Sequence, residues 1–453
     1  MVRSGSFRSN PIDLGPQKRV RGEIVTRKKL PVLIIALLAL ALVVVLFAAA
    51  CGTKTTTTVA PVTTAGGTGT TAAAAGTFTG DDYTVGAINS ISGVNALTGA
   101  EHKWAQEKAA SDWNAKGGIK SADGKTHKIV LKHVDDKSSD TEAQAAMEKL
   151  IKTDGLKVIL SSNTTPYNQA AATVAEQYSA YYHICTSWID TIEGMNLKWS
   201  SDFFVASTKA GAAATGAVEN MATPVKNLAV MTENNPDGVG FGDGTVAGLK
   251  AAGYNVVSYE KFVEGQKDFS SIILKMKQSG VEGVVVLISP SDGITFVKQL
   301  KEQNWAPKFM FGFKGFWPVE FMKGLGADSD YICHDGFWSE TLPFPGAKEL
   351  GAAFTAEHNG ATSVSVGLSY ADADILFQAI QNAGSMDPAA VRDHVFGQTF
   401  KGTVMGDVTY SAKGIAEIPL LGLQWIGGKR VIVAPSQYAT AKTQEFKAWD
   451  ARK

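Results

Sequence analysis

From Tyr83 onward the chain alternates short β-rich runs with helical segments, and this alternation restricts the fold more than any other feature of the sequence. The runs "YTVGAIN" (83–89), "HKIVLKHV" (127–134) and "KVIL" (157–160) alternate with helical stretches at 100–116, 140–153 and 166–180. A second series follows: a helix near 210–222, "NLAVM", a helix near 244–252, "NVVSYE", "DFSSIILKMKQSG", "GVVVLI", a helix at 293–303 and "KFMFGF". Strand and helix repeating at this spacing build right-handed βαβ units around a mainly parallel sheet. Two series of this kind in 453 residues predict an α/β protein with two similar lobes, since one core does not grow to that size. Local chemistry marks the boundaries. Gly117-Gly118 stops the first helix, Pro166 suits a helix start behind a Thr165 cap, and Glu142 lies at the positive end of another helix.

The first fifty residues belong to neither series. Eight basic and two acidic side chains precede Leu30, and from Leu30 to Ala50 nothing is ionisable. A basic stretch, a long apolar run and small residues before Cys51 have the layout of an export signal, with the basic residues on the cytoplasmic side. Ala48-Ala49-Ala50-Cys51 resembles a bacterial lipobox, which implies lipidation of Cys51. An uncleaved membrane anchor is the alternative, because about 20 apolar residues span a bilayer. Residues 1–51 are therefore expected to be a lipoprotein signal or anchor that holds the body at the extracytoplasmic face of the cell membrane. Residues 52–80, rich in Thr, Ala and Gly with Lys54 as their one charge, read as a flexible tether.

The chain holds 43 basic and 43 acidic residues, so removing residues 1–50 leaves 35 against 41, a net charge near −6. A weakly acidic exported body argues against nucleic acid as a partner. Cys185 and Cys333 are too few for a disulfide framework; two buried thiols are expected, with a single bridge as the alternative.

No catalytic constellation appears at convincing spacing. The histidines (102, 127, 133, 183, 334, 358, 394) form no H-x-x-x-H pair, and there is no G-x-S-x-G elbow and no Walker A sequence. Neither an enzyme nor a cofactor or metal is expected. "DGVGFGDG" (237–244) is glycine-rich without nucleotide-loop spacing and reads as a flexible loop lining a cleft. Asp135-Asp136 reads as a solvated strand end with a turn or capping role. Asp268 or Ser270 is expected to cap the next helix, with Phe269 filling a core.

Four motifs in matching order, "NAKGGIK" (114–120), "VDDKSSDTEAQAA" (134–146), "GQKDFSSIILKMK" (265–277) and "GTVMGDVTYSAKG" (402–414), resemble the leucine/isoleucine/valine-binding family. These are the type I periplasmic solute-binding proteins of ABC importers, and the similarity runs from about Tyr83 to about Trp425. The resemblance implies two Rossmann-like lobes, 81–206 plus 337–417 and 207–336 plus 418–453, joined by three crossings near 205–208, 334–339 and 417–420. It implies a small-molecule ligand in the cleft, an ABC permease as partner, and a monomer. Residues 440–453 are expected to form a polar tail or helix. An extracellular domain that senses a ligand and signals to a membrane partner is the alternative function.

The same resemblance nominates site residues. "SSNTTPYN" (161–168) and "HICTSW" (183–188) match the first-lobe loops that hold a ligand carboxylate, which places Asn163, Thr164, Cys185 and Ser187 at the ligand. The rival readings of Asn163-Thr164-Thr165 are a helix cap and a glycosylation acceptor. Ser92 falls in the loop after the first strand, and Thr98 stands near the place of an aromatic lid residue. Tyr370 and Phe241 match aromatic positions of the two lobes. Lys314, in "MFGFKGFW", stands where amino-acid binders of the family use a glutamate to pair with the ligand ammonium. A cation there would repel an ammonium and attract a carboxylate. Glu340 or Asp335 is the alternative source of an anion. Trp188, Trp317 and Trp338 are expected either to stack on a flat ligand or to pack between the lobes.

Overall fold

In a computed structural model the described residues are 77–418 and 420–452. The leader, Cys51 and nearly all of the proposed tether lie outside them.

Two sheets organise the described chain. The first contains, in spatial order, Ile415–Glu417, Ser200–Phe204, Tyr181–Cys185, Val158–Leu160, Tyr83–Asn89 and Ile129–Asp135, all parallel. The second runs Lys429–Ala434, Leu421–Ile426, Cys333–Gly336, Phe309–Lys314, Gly283–Ile288, Asn227–Glu233 and Asn255–Phe262. Its last five strands are parallel, and the hairpin Leu421–Ala434 is added antiparallel to Cys333–Gly336. Counted in chain order within each of these sheets, strands one to five lie 2-1-3-4-5 in both. The strands read as apolar runs because helices cover both faces of each sheet. "GVVVLI" is fully buried along its length. The chain passes from one sheet to the other after Phe204, after Gly336 and after Glu417.

The helices carry the main correction to the sequence reading. "DGVGFGDG" is not a loop: it forms the first turns of the helix Pro236–Ala251, whose Asn235 side chain accepts from the Gly238 N–H. Its glycines serve close approach. A Cβ on Gly238 would lie 1.8 Å from the Glu233 carbonyl oxygen, and one on Gly244 would lie 2.0 Å from that of Ser207. The helix thereby seats against the strand end and the first crossing, and the hydrogen bonds of a regular helix outweigh the low glycine propensity.

Thr165 does not cap the helix Thr165–Tyr178. Thr164 is the N-cap residue, and no side chain supplies a capping bond. Asp136 is not solvated but buried, and accepts from the Ser138 N–H and Ser90, whereas Asp135 makes the turn by accepting from the N–H groups of Ile91, Ser92 and Lys137. The Asp268 carboxylate accepts from the Ser270 N–H, and Phe269 fills the second lobe's core. The segment after Thr440 is neither a polar tail nor a long helix. Phe446 and Trp449 are buried, and Arg452 stacks on both and donates to the Asp328 carbonyl. Cys185 and Cys333 are free, buried thiols.

The first lobe also buries a polar knot around Asp372. Neither carboxyl oxygen has a hydrogen-bond partner among the described residues, and the nearest basic group, His183 Nε2, is 3.4 Å away. Burial pushes Asp372 well above the ordinary carboxyl range and lowers His183 to about 3, so the fold favours the neutral form of each. A carboxyl whose pKa is raised by folding loses stability for the fold as pH climbs from its unfolded value through its folded one. Asp372→Asn is therefore expected to raise unfolding free energy by about 1–3 kcal/mol at pH 7.5 and by much less at pH 4. Urea denaturation at the two pH values measures this, and a variant less stable than the parent at pH 7.5 would contradict it.

Candidate functional site

In open α/β sheets ligands gather beyond the carboxyl ends of the strands, where the strand order reverses. With the order 2-1-3-4-5 that point lies between strands one and three. It is marked in the first lobe by Ser90 and Asn163, and in the second by Glu233 and Ser289. The structure brings these two points together across the seam between the lobes.

On the first-lobe side, most of "SSNTTPYN" ties the strand ends to one another. Ser161 Oγ accepts from the Cys185 N–H at 3.0 Å, Ser162 Oγ donates to Asp136, and Asn163 Oδ1 accepts from Ser90 at 2.7 Å. Asn168 Nδ2 donates to Ser187 Oγ at 2.9 Å and to the Cys185 carbonyl. Two groups of this buried turn have no partner among the described residues, Asn163 Nδ2 and Thr164 Oγ1.

On the second-lobe side, Lys314 ends its strand with φ at 64°, a left-handed conformation uncommon for lysine. Its Nζ lies 2.9 Å from Glu233 Oε2, 3.5 Å from Asp237 Oδ2 and 3.6 Å from Glu264 Oε1. Burial alone would lower the lysine, but the three carboxylates hold it well above its ordinary range. Burial pushes Glu233 up to about 7 against the pull of Lys314, and also raises Asp237. Burial acts on Glu264 in the same direction, but Lys314 and the donors Ser289, Asn95 and Asn235 outweigh it and leave it lowered.

The lobes meet directly here. Thr165 Oγ1 donates to Asp237 Oδ1 at 3.1 Å, Asn95 Nδ2 to Glu264 Oε1 at 3.0 Å, and Trp188 Nε1 to the Asp237 carbonyl at 2.8 Å. Beside these bonds an aromatic cluster crosses the seam. Trp188 packs on Phe204 and Phe313, Phe313 on Phe241 and Trp317, and Trp317 on Phe337.

A family profile described as periplasmic binding protein matches residues 82–429. The chain belongs to the periplasmic binding protein family. Among curated relatives of this binding protein, Leu/Ile/Val-binding protein homolog 8 of Brucella abortus (strain 2308) is 27% identical over 391 residues, covering 80% of this chain and 92% of that protein. Two solved structures share the fold. The branched-chain amino acid transporter substrate binding protein LivJ from Streptococcus pneumoniae, solved in complex with isoleucine, superimposes with a TM-score of 0.68 at 21% identity, covering 78% of this chain and all of that one. A solute binding protein of an ABC transporter from R. palustris, solved with benzoate, gives 0.69 at 18% identity and covers 80% and 98%. Membership gives this binding protein a solute-binding, non-enzymatic role outside the cytoplasm. No helix among the described residues is long and apolar enough to cross a membrane.

The residues nominated from the sequence are distributed unevenly in this binding protein. Asn163, Thr164 and Ser187 lie in the first-lobe turns, Ser187 already occupied by Asn168. Cys185 is buried at its strand end, with Ser161 Oγ 3.8 Å from its sulfur. Ser92 is exposed on the loop after the first strand and donates to Asp135. Phe241 is buried against Phe313 as part of the aromatic cluster. Tyr370 is not brought to the seam: it packs within the first lobe and donates to Asp112 at 3.0 Å, because its face of the helix Val366–Ala383 lies on the helix Ala96–Ala115. Thr98 is buried within that latter helix. Asp335 accepts from Trp317 Nε1 at 2.7 Å, and Trp338 Nε1 donates to the Val404 carbonyl. Trp188 and Trp317 pack between the lobes.

Lys314 finds its counter-charges within its own lobe. Glu233, Asp237 and Glu264 were missed by the sequence reading, although Glu233 closes a clear strand and Asp237 follows Pro236 at a helix start. Each acid is ordinary alone, and it is the three ends meeting one lysine that makes the site.

Proposed function

We propose that this binding protein captures a small organic solute between the facing strand ends and delivers it to the permease of an ABC importer. The solute is an amino acid with a hydrophobic or aromatic side chain, or a related acid or amide. A lipid on Cys51, or the apolar run 30–50 as a helix, keeps it at the membrane. The observation that carries this reading is the pair of reversal points set face to face, with Asn163 and Thr164 on one side and the Lys314 cluster on the other. The relatives solved with isoleucine and with benzoate support a solute of this size. Asn163 and Thr164 are the proposed ligand contacts, and Lys314 sets the charge of the opposite wall. A solute that touches both lobes stabilises only the shut form, which is how binding drives closure.

Such a ligand at a hundredfold excess over Kd raises the unfolding free energy by about 2.7 kcal/mol. Thermal denaturation against a panel of amino acids, aromatic acids and short amides is expected to show at least one shift of this size. A melting curve unmoved by the whole panel would remove the capture reading.

A further inference from the structure

The two walls of the site differ in what they leave unpaired. All six carboxylate oxygens of Glu233, Asp237 and Glu264 lie within reach of donors from the chain itself. Lys314 and Asn235 reach Glu233 Oε2, and Ser289 reaches Glu233 Oε1. Thr165 and Lys314 serve the two oxygens of Asp237. Asn95, Tyr167 and Ser289 converge on Glu264 Oε1, with Asn235 on Oε2. The acidic wall therefore already carries an ammonium of its own.

The opposite wall is short of acceptors. Asn163 is 3% exposed and Thr164 2%, yet Asn163 Nδ2 and Thr164 Oγ1 have no partner among the described residues. They stand at the start of the fourteen-residue helix Thr165–Tyr178, which no side chain caps. Its first N–H groups and positive end favour an anion. The Thr164 hydroxyl can accept as well as donate, and Asn95 Oδ1, also without a partner among the described residues, is a neutral acceptor suited to a hydroxyl or amide N–H.

A ligand ammonium entering here would have to share the three carboxylates with the buried Lys314 ammonium and would add a cation beside it. A ligand carboxylate would meet donors that nothing else uses, and leaving those unmade is costly. Resting on the capture reading above, we infer that the solute is a carboxylic acid without an amine, the Lys314 ammonium taking the place that the ammonium of an amino acid would fill.

Matched pairs with one skeleton test this. Isothermal titration calorimetry of the full chain in detergent, with leucine against 4-methylpentanoate and phenylalanine against 3-phenylpropanoate, is expected to show the acid without an amine binding at least tenfold more tightly in at least one pair. Amino acids that bind as tightly as their partner acids in every pair that binds, or silence in both pairs, overturn the inference. The capture reading stands apart from that result, since it falls only when the wider thermal panel is also silent. Lys314→Met, which frees the acidic wall, is expected to move the preference toward the amino acid by at least tenfold. An unchanged preference in a folded variant counts against the inference, and the parent pairs decide it if that variant does not fold.

Discussion

Lys314→Met lowers the unfolding free energy by about 3–5 kcal/mol at pH 7.5, the cost of breaking a buried ion cluster from one side. The lysine side chain is 3% exposed and lies against Glu233, Asp237 and Glu264, whose own side chains are 0%, 8% and 20% exposed. Methionine fills a similar volume, so the loss reports charge rather than a cavity. Without the ammonium, three carboxylates face one another with little water between them. Their folded pKa values then rise above the unfolded ones, so the missing stability is recovered as pH falls. Glu233, already at about 7 in the parent, takes up its proton first. Urea unfolding at pH 7.5 and pH 5 measures both parts. A loss under about 1 kcal/mol at pH 7.5, or one that grows at pH 5, would show that the ammonium does not hold these acids.

Trp188→Ala is expected to cost about 3–5 kcal/mol, the range for removing a large aromatic side chain from a packed interior. The indole is fully buried, touches Phe204 of its own lobe and Phe313 of the other, and donates across the seam to the Asp237 carbonyl. Trp188→Phe separates these contributions, because it keeps ring packing and loses the hydrogen bond, at a cost nearer 1–3 kcal/mol for the carbonyl left behind. Equal losses in the two variants would mean that the hydrogen bond rather than the packing holds the lobes here. A negligible loss in both would mean that the seam does not depend on Trp188.

The strands were legible because each depends on a local pattern. "YTVGAIN" became Tyr83–Asn89 and "GVVVLI" became Gly283–Ile288, since apolar runs bounded by turn residues suit a strand wherever it pairs. The failures lie where a distant contact overrides local preference. Glycines at 238 and 244 looked like a loop, but their small size is demanded by the Glu233 and Ser207 carbonyls pressed against the helix. Thr165 looked like a cap and instead reaches across to Asp237. Tyr370 looked like a ligand wall, and the direction its helix faces gave it to Asp112 instead.

The candidate site divides in the same way. Asn163 and Thr164 were nominated through the resemblance of "SSNTTPYN" to the family's first-lobe loop, and the structure puts them in the turn between Val158–Leu160 and the helix Thr165–Tyr178. Lys314 could be located, but its chemistry could not be read. A lysine at a strand end is a solvated cation until burial removes its water and Glu233, 81 residues earlier, supplies its counter-charge. The sequence alone settled two mainly parallel sheets, because apolar periodicity is a local property. The tertiary structure alone decided which charges meet there and which donors stay free, because desolvation and pairing depend on segments far apart in the chain.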